Sequence, residues 1–154
     1  MISFKGEYEH SLDSKGRVSL PAKMRKALED SVRKFTMTYG LDNCLYLYPH
    51  EQWKEFEDRL SRLNSFNKND RMALRYFLKN AEDIELDGQN RISVLAKHLT
   101  FAGMEDRVIF IGSGERIELW SPTELDKLMD AWTPEALQSN VERVLGGSYD
   151  EQDG

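Results

Sequence analysis

LDSKGRVSLPAK (Leu12–Lys23) and LDGQNRISVLAK (Leu86–Lys97) align without a gap at an offset of 74, with Leu, Asp, Arg, Ser, Ala and Lys coinciding. The likeness continues downstream. CLYLYPHEQW (Cys44–Trp53) lies over RIELWSPTEL (Arg116–Leu125) at an offset of 72, which reads as two residues lost from a hairpin loop. Self-similarity at a fixed period is the signature of a repeated structural unit. The chain therefore reads as two copies of one unit of roughly seventy residues.

Each copy carries the same order of local signals. A strand, about Gly6 to Leu12 and about Ile84 to Leu86, leads into a turn and a second short strand. There Arg17 and Ser19 alternate with Val18 and Leu20, as Arg91 and Ser93 alternate with Ile92 and Val94. Alternation of period two puts the arginines on a wet face and the aliphatics in a core. A short helix from about Ala22 to Leu28 is expected next, with Pro21 in its first turn, and its counterpart begins near Leu95. A hairpin follows, FTMTY and CLYLY around GLDN in the first copy, RVIFIG and RIELW around SGE in the second.

Trp53, Phe56, Leu60 and Leu63 then recur at helical spacing, as do Leu125, Leu128, Met129 and Trp132. NKNDRMALRYFLKNAED between the copies is amphipathic and predicts a linking helix. A last helix is expected in TPEALQSNVERVLG, with Thr133 as N-cap, Pro134 at the first position and Glu135 in the first turn. SYDEQDG is small and acidic and is expected to be frayed.

The chain has 154 residues, 40% hydrophobic and 31% charged, which suits one ordinary domain or two half-domains sharing a core. No run reaches the ~18 apolar residues of a membrane span, and MISFKGEYEH lacks the apolar stretch of a secretory signal, so a cytoplasmic protein is expected. The lone Cys44 has no partner for a disulfide and reads as a buried small hydrophobe. His10, His50 and His98 fall in separate segments without metal-ligand spacing, and no phosphate loop, nucleophile motif or CxxC is present. The sequence thus predicts no enzyme, no cofactor, no metal site and no small-molecule substrate.

A net charge of -6 argues against nucleic acid until its distribution is read. Residues 1–38 hold eight Lys/Arg against five Asp/Glu, whereas residues 121–154 hold two against eight, so the ends differ by nine charges. From Lys15 to Lys26 the bases Lys15, Arg17, Lys23, Arg25 and Lys26 occur with no acid among them. In the turns DSKGR and DGQNR, Asp13 and Asp87 can accept backbone N–H bonds, and Gly16 and Asn90 tolerate positive φ. A carboxylate would repel phosphate, so the aspartates are expected to shape the turn and orient Arg17 and Arg91. Those arginines would reach phosphate or a guanine edge, and Lys15, Lys23, Arg25 and Lys26 would add phosphate contacts.

GEYEHSLDSKGRVSLPAKMRKAL, the doubled Asp-x-x-x-Arg motif, LYLYPHEQW and RIELWSP together resemble the MraZ family of bacterial transcriptional regulators. The resemblance covers nearly the whole chain and weakens after about Trp132. It implies an α+β fold of two tandem AbrB-like swapped-hairpin half-units, forming a pseudo-twofold β-barrel-like core flanked by helices. The expected organisation is a first repeat at 1–66, a linking helix at 67–81, a second repeat at 82–132 and a C-terminal helix with an acidic tail at 133–154.

It further implies a ring-shaped homo-oligomer, associated with the nucleoid, on double-stranded DNA. Its targets would be repeated promoter boxes ahead of the cell-division and cell-wall gene cluster, its own gene included. The family's DNA-contacting corner falls on Asp13–Arg17 and Asp87–Arg91. Because DGQNR lacks the glycine before arginine, Arg17 is expected to outrank Arg91. The competing expectation is an oligomeric scaffold or antitoxin-like partner without DNA binding of its own, using Tyr46, Tyr48, Trp53 and Trp120 at an interface.

Overall fold

The computed structural model describes residues 2–153, with side chains described through residue 146. The chain divides into two compact units, Met1–Glu124 and Leu125–Gly154. The first repeat supplies β1 (Glu7–Ser11), β2 (Arg17–Ser19), α1 (Ala22–Arg25), β3 (Lys34–Tyr39), β4 (Leu45–Pro49) and α2 (His50–Ser61). After α3 (Lys68–Lys79), the second repeat supplies β5 (Glu82–Glu85), β6 (Arg91–Ser93), α4 (Ala96–Ala102), β7 (Arg107–Gly112), β8 (Ile117–Trp120) and α5 (Pro122–Asp130). α6 (Pro134–Asp153) ends the chain. The fold is α+β and built from two tandem half-units.

The six-stranded antiparallel sheet has the order β1-β7-β8-β4-β3-β5, and β2 pairs with β6 in a separate two-stranded ribbon. Exchanging the repeats, β1 for β5, β7 for β3 and β8 for β4, leaves that order unchanged. The leading strand of each repeat pairs with the other repeat's hairpin, β1 with β7 and β5 with β3. The hairpins are therefore swapped, and neither repeat completes a sheet by itself.

The registers locate the pseudo-twofold axis. Val18 faces Ile92, its own equivalent at offset 74, flanked by Arg17 opposite Ser93 and Ser19 opposite Arg91. At the far side Tyr46 faces Glu118, its equivalent at offset 72. The axis passes through both pairs. Between them, Ser11 opposite Arg107 and Glu85 opposite Lys34 are mates only if β3 maps onto β7 at an offset of 73.

The two missing residues are thus not both in the hairpin loop. One is missing there, where residues 40–44 become 113–116, and the other is missing ahead of the strand. Strand register is fixed by ladder hydrogen bonds, so a length change settles where the backbone is unpaired.

β2 lies against β1 and β6 against β5, so the ribbon spans the two open edges of the sheet and the whole is barrel-like. Inside lie Val18, Ile92, Phe35, Met37, Leu45, Leu47, Phe110 and Leu119, none more than 1% exposed. β4 is buried on both faces. Leu45 and Leu47 enter the core, and on the other face Tyr48 stacks on Phe56 of α2 with ring centroids 5.1 Å apart.

Tyr46, Tyr48, Trp53 and Trp120 are buried within the chain, and that removes the aromatic surface the scaffold reading called for. Cys44 is fully buried, its Sγ 3.1 Å from the Leu41 carbonyl, and burial pushes its thiol pKa up to about 12. It is a structural residue.

Element ends depart from expectation at several places: α2 stops at Ser61, short of Leu63, and α5 at Asp130, short of Trp132. Pro21 is the N-cap of α1, with ψ 134°, and not its first helical residue; α1 stops at Arg25, followed by tighter turns through Leu28. β5 begins at Glu82, earlier than expected, because its partner β3 is long enough to pair with it from Lys34 to Met37. α6 runs as far as Asp153, beyond the expected end at VLG, and the side chains of the tail SYDEQDG lie outside the described residues. Thr133 does cap that helix, its Oγ1 accepting from the Ala136 N–H at 3.0 Å.

Candidate nucleic-acid interface

Each Asp-x-x-x-Arg turn is a closed hydrogen-bonded corner. Asp13 Oδ1 accepts from the backbone N–H of Lys15 at 2.9 Å and of Arg17 at 2.8 Å, and Oδ2 accepts from Arg17 Nε at 2.8 Å. The Asp13 N–H donates to the Arg17 carbonyl and the Gly16 N–H to the Asp13 carbonyl. In the second corner Asp87 Oδ1 accepts from Gln89 at 2.8 Å and Arg91 at 2.9 Å, and Oδ2 from Arg91 Nε at 2.7 Å.

Gly16 has φ +78° and Asn90 φ +59°, so asparagine takes up the left-handed conformation glycine supplies in the first copy. The two corners agree within 0.1 Å in their aspartate bonds, so these distances do not rank Arg17 against Arg91.

These bonds set the electrostatics. The Arg91 backbone N–H is the largest influence on Asp87, and with the Arg91 side chain and Gln89 N–H it holds the carboxyl down at about 2 against the opposing effect of burial. Asp13 is lowered in the same way, first by the Arg17 backbone N–H. Each aspartate stays ionised and spends its charge inside the turn. Each arginine spends Nε on that aspartate, and among the described residues neither Nη group of Arg17 or Arg91 has a hydrogen-bond partner. Two outward N–H forks result, with directions fixed by the fold.

The corners belong to one surface. Val18 and Ile92 point inward from the β2–β6 ribbon, which leaves Arg17, Ser19, Arg91 and Ser93 on its outer face. Arg17 and Arg91 are diagonal neighbours there, related by the pseudo-twofold axis. Each corner is also tied to the opposite repeat: Val94 N–H donates to the Gly16 carbonyl at 2.7 Å, and Leu20 N–H to the Asn90 carbonyl at 3.0 Å.

Comparison with known proteins agrees with this doubled architecture. A family model described as "MraZ protein, putative antitoxin-like" matches twice in tandem, at residues 3–76 and 77–146. The chain belongs to the MraZ family. It is 44% identical over 124 residues to the transcriptional regulator MraZ of Alkaliphilus oremlandii, covering 80% of this chain and 85% of that one. It is 42% identical over 150 residues to the transcriptional regulator MraZ of Syntrophomonas wolfei, covering 96% and 97%.

The remaining cations of the chain are distributed unevenly. Lys15 is exposed at the tip of the first turn. Lys23 and Lys26 are exposed and line a groove with Lys5 and Tyr8, on another side of α1 from Arg25. Arg25 is half-buried, its Nε donating to the Leu20 carbonyl at 3.3 Å, and it shares a small polar pocket with Asn90 and Arg33.

α1 of the first repeat therefore stands beside the second corner, and the five bases read together in the sequence do not form one cluster. Reasoning along the chain missed Arg33, whose guanidinium reaches the second corner from 54 residues away. Its position in SVRK carries no motif that points there. His98 is buried, with Nε2 2.8 Å from the Asn80 carbonyl, and desolvation lowers its pKa; it belongs to the core and not to this surface.

Proposed function

We propose that the chain is a sequence-specific double-stranded DNA-binding transcriptional regulator that acts on repeated boxes upstream of the cell-division and cell-wall gene cluster, its own gene included. One observation carries the reading: a pseudo-twofold pair of aspartate-oriented arginines on the outer face of a two-stranded ribbon, each with a free N–H fork. The major groove admits a two-stranded β-ribbon, and a guanidinium fork matches guanine O6 and N7 or a phosphate. Asp13, Gly16, Asp87 and Asn90 shape the turns, Arg17 and Arg91 read, and Lys15, Lys23, Arg25 and Lys26 contribute sequence-independent phosphate attraction.

A single ribbon offers few contacts. A homo-oligomeric ring engaging several boxes would raise the effective concentration of each corner without new chemistry. Exposed apolar side chains in the α2–α3 connection and on α3, Phe66 at 93% and Met72 at 57%, support self-association. Among the described residues no helix is long and apolar enough to cross a membrane, in keeping with a protein working at the nucleoid.

The test is binding of the full chain to a labelled duplex from upstream of its own gene, across a salt series. Wild type should bind with a log–log salt slope of about −0.9 per phosphate neutralised. Arg17→Ala and Arg91→Ala should each weaken binding roughly tenfold or more while remaining folded. A duplex with several boxes should bind more tightly than one with a single box. Absence of binding by wild type, or both variants binding as wild type does, would overturn the proposal in favour of a protein-binding scaffold.

A further inference from the structure

We infer that Arg33 is the positioning residue of the second corner, locking it from the opposite repeat where the first corner relies on glycine. In SVRK the residue sits just ahead of β3, and its backbone carbonyl accepts the Leu86 N–H at 2.9 Å. Its side chain then closes over the turn. Nη2 donates to the Leu86 carbonyl at 3.2 Å and the Asp87 carbonyl at 2.5 Å, and Nη1 to Asn90 Oδ1 at 3.4 Å. One planar group thereby touches the end of the incoming strand, the head of the turn and its left-handed residue. A rigid fork suits such a bridge better than the single flexible ammonium of lysine.

Among the described residues the first corner has no equivalent bridge. The position matching Arg33 is Asp106, whose carbonyl accepts the Leu12 N–H at 2.9 Å just as Arg33 does for Leu86. An ionised carboxylate has no donor to offer the carbonyls of Leu12 and Asp13. There the turn is narrowed by Gly16, where an added Cβ would come within 2.8 Å of the Val94 carbonyl. In the second corner Asn90 brings a side chain, and its Oδ1 is what Arg33 grips. The two substitutions form one device: the arginine holds the asparagine turn in the shape that glycine gives its twin, and through Asp87 it fixes Arg91.

The consequence for DNA rests on the function proposed above, so the test has one arm that does not use DNA. In the full-length protein, Arg91 Nε–H is read by NMR hydrogen exchange beside Arg17 Nε–H as internal reference. Arg33→Ala should speed exchange at Arg91 Nε–H at least tenfold and leave Arg17 unchanged. Arg33→Lys should fall between, and it keeps the experiment decisive if the alanine variant does not fold. Unchanged Arg91 exchange in a folded variant overturns the inference whether or not the protein binds DNA.

In the second arm, on the labelled upstream duplex, Arg33→Ala should weaken binding roughly tenfold in wild type and in Arg17→Ala, and add little to Arg91→Ala. An equal loss in the Arg91→Ala background would make Arg33 a phosphate contact in its own right and overturn the positioning role. If wild type does not bind the duplex, the functional reading fails and the exchange arm alone decides the role of Arg33.

Discussion

Gly16 and Asn90 reach the same left-handed conformation by different means, and the difference is measurable. At Gly16 an alanine would meet both positive φ and the Val94 carbonyl 2.8 Å from its Cβ. Gly16→Ala should therefore lower stability by about 1–3 kcal/mol in urea unfolding, while Asn90→Gly, which relieves φ but loses the Arg33 bond, should change it by less than about 1 kcal/mol.

The aspartates add a pH signature. Asp87 titrates at about 2 in the fold against an ordinary 3.8, so its contribution is fully present above about pH 4 and is lost as pH falls through about 2. A carboxyl-detected NMR titration should place its midpoint near 2; a midpoint near 3.8 would mean that the corner bonds do not form in solution. The bonds inside each corner are of a kind a sequence displays, because Asp13 and Asp87 accept from backbone N–H groups two to four residues away. Those of Arg33 are not, because its partners become neighbours only through the hairpin swap.

At the scale of the elements, the surface that carries Arg17 and Arg91 depends on two strands of only three residues each. An isolated two-stranded ribbon is marginal in water, so its shape must come from the side facing the core. Val18 and Ile92, 1% and 0% exposed, provide that anchor at the pseudo-axis. Ile92→Ala should cost about 2–5 kcal/mol and Ile92→Val about 0.5–1.5 kcal/mol, whereas Ser93→Ala on the outer face should fall within about 0.5 kcal/mol. Equal losses at Ile92 and Ser93 would contradict the inward and outward assignment.

The alternation that separates these faces is visible in RVS and RIS. What the sequence does not display is the offset of 73 between β3 and β7, or the early end of α1. The offset is settled by pairing against the other repeat, and no local propensity records it.

For the whole molecule, the repeat was legible and the swap is what gives it physical necessity. β1 and β2 find their partners in β7 and β6, so a chain ending before β5 leaves two strands with open edges and Val18 without Ile92. Residues 1–81 alone should not form a folded monomer. Two copies can instead satisfy one another, because the pseudo-axis already pairs equivalent positions: Val18 would meet Val18, and β1 of each copy would add to β3 of the other. One pairing would be poorer, since Tyr46 faces Glu118 in the intact chain and lies 4.0 Å beneath the Arg116 guanidinium, and both partners would be replaced by the first repeat's own residues.

The fragment should therefore gain β-structure with rising concentration as it dimerises, and adding residues 82–154 should draw it into the mixed pair at lower concentration. Sedimentation and circular dichroism over a concentration series would detect both steps. A compact monomer of residues 1–81 with a cooperative unfolding transition would show that the half-unit completes its own sheet, and the swapped pairing of β1 with β7 would then be wrong.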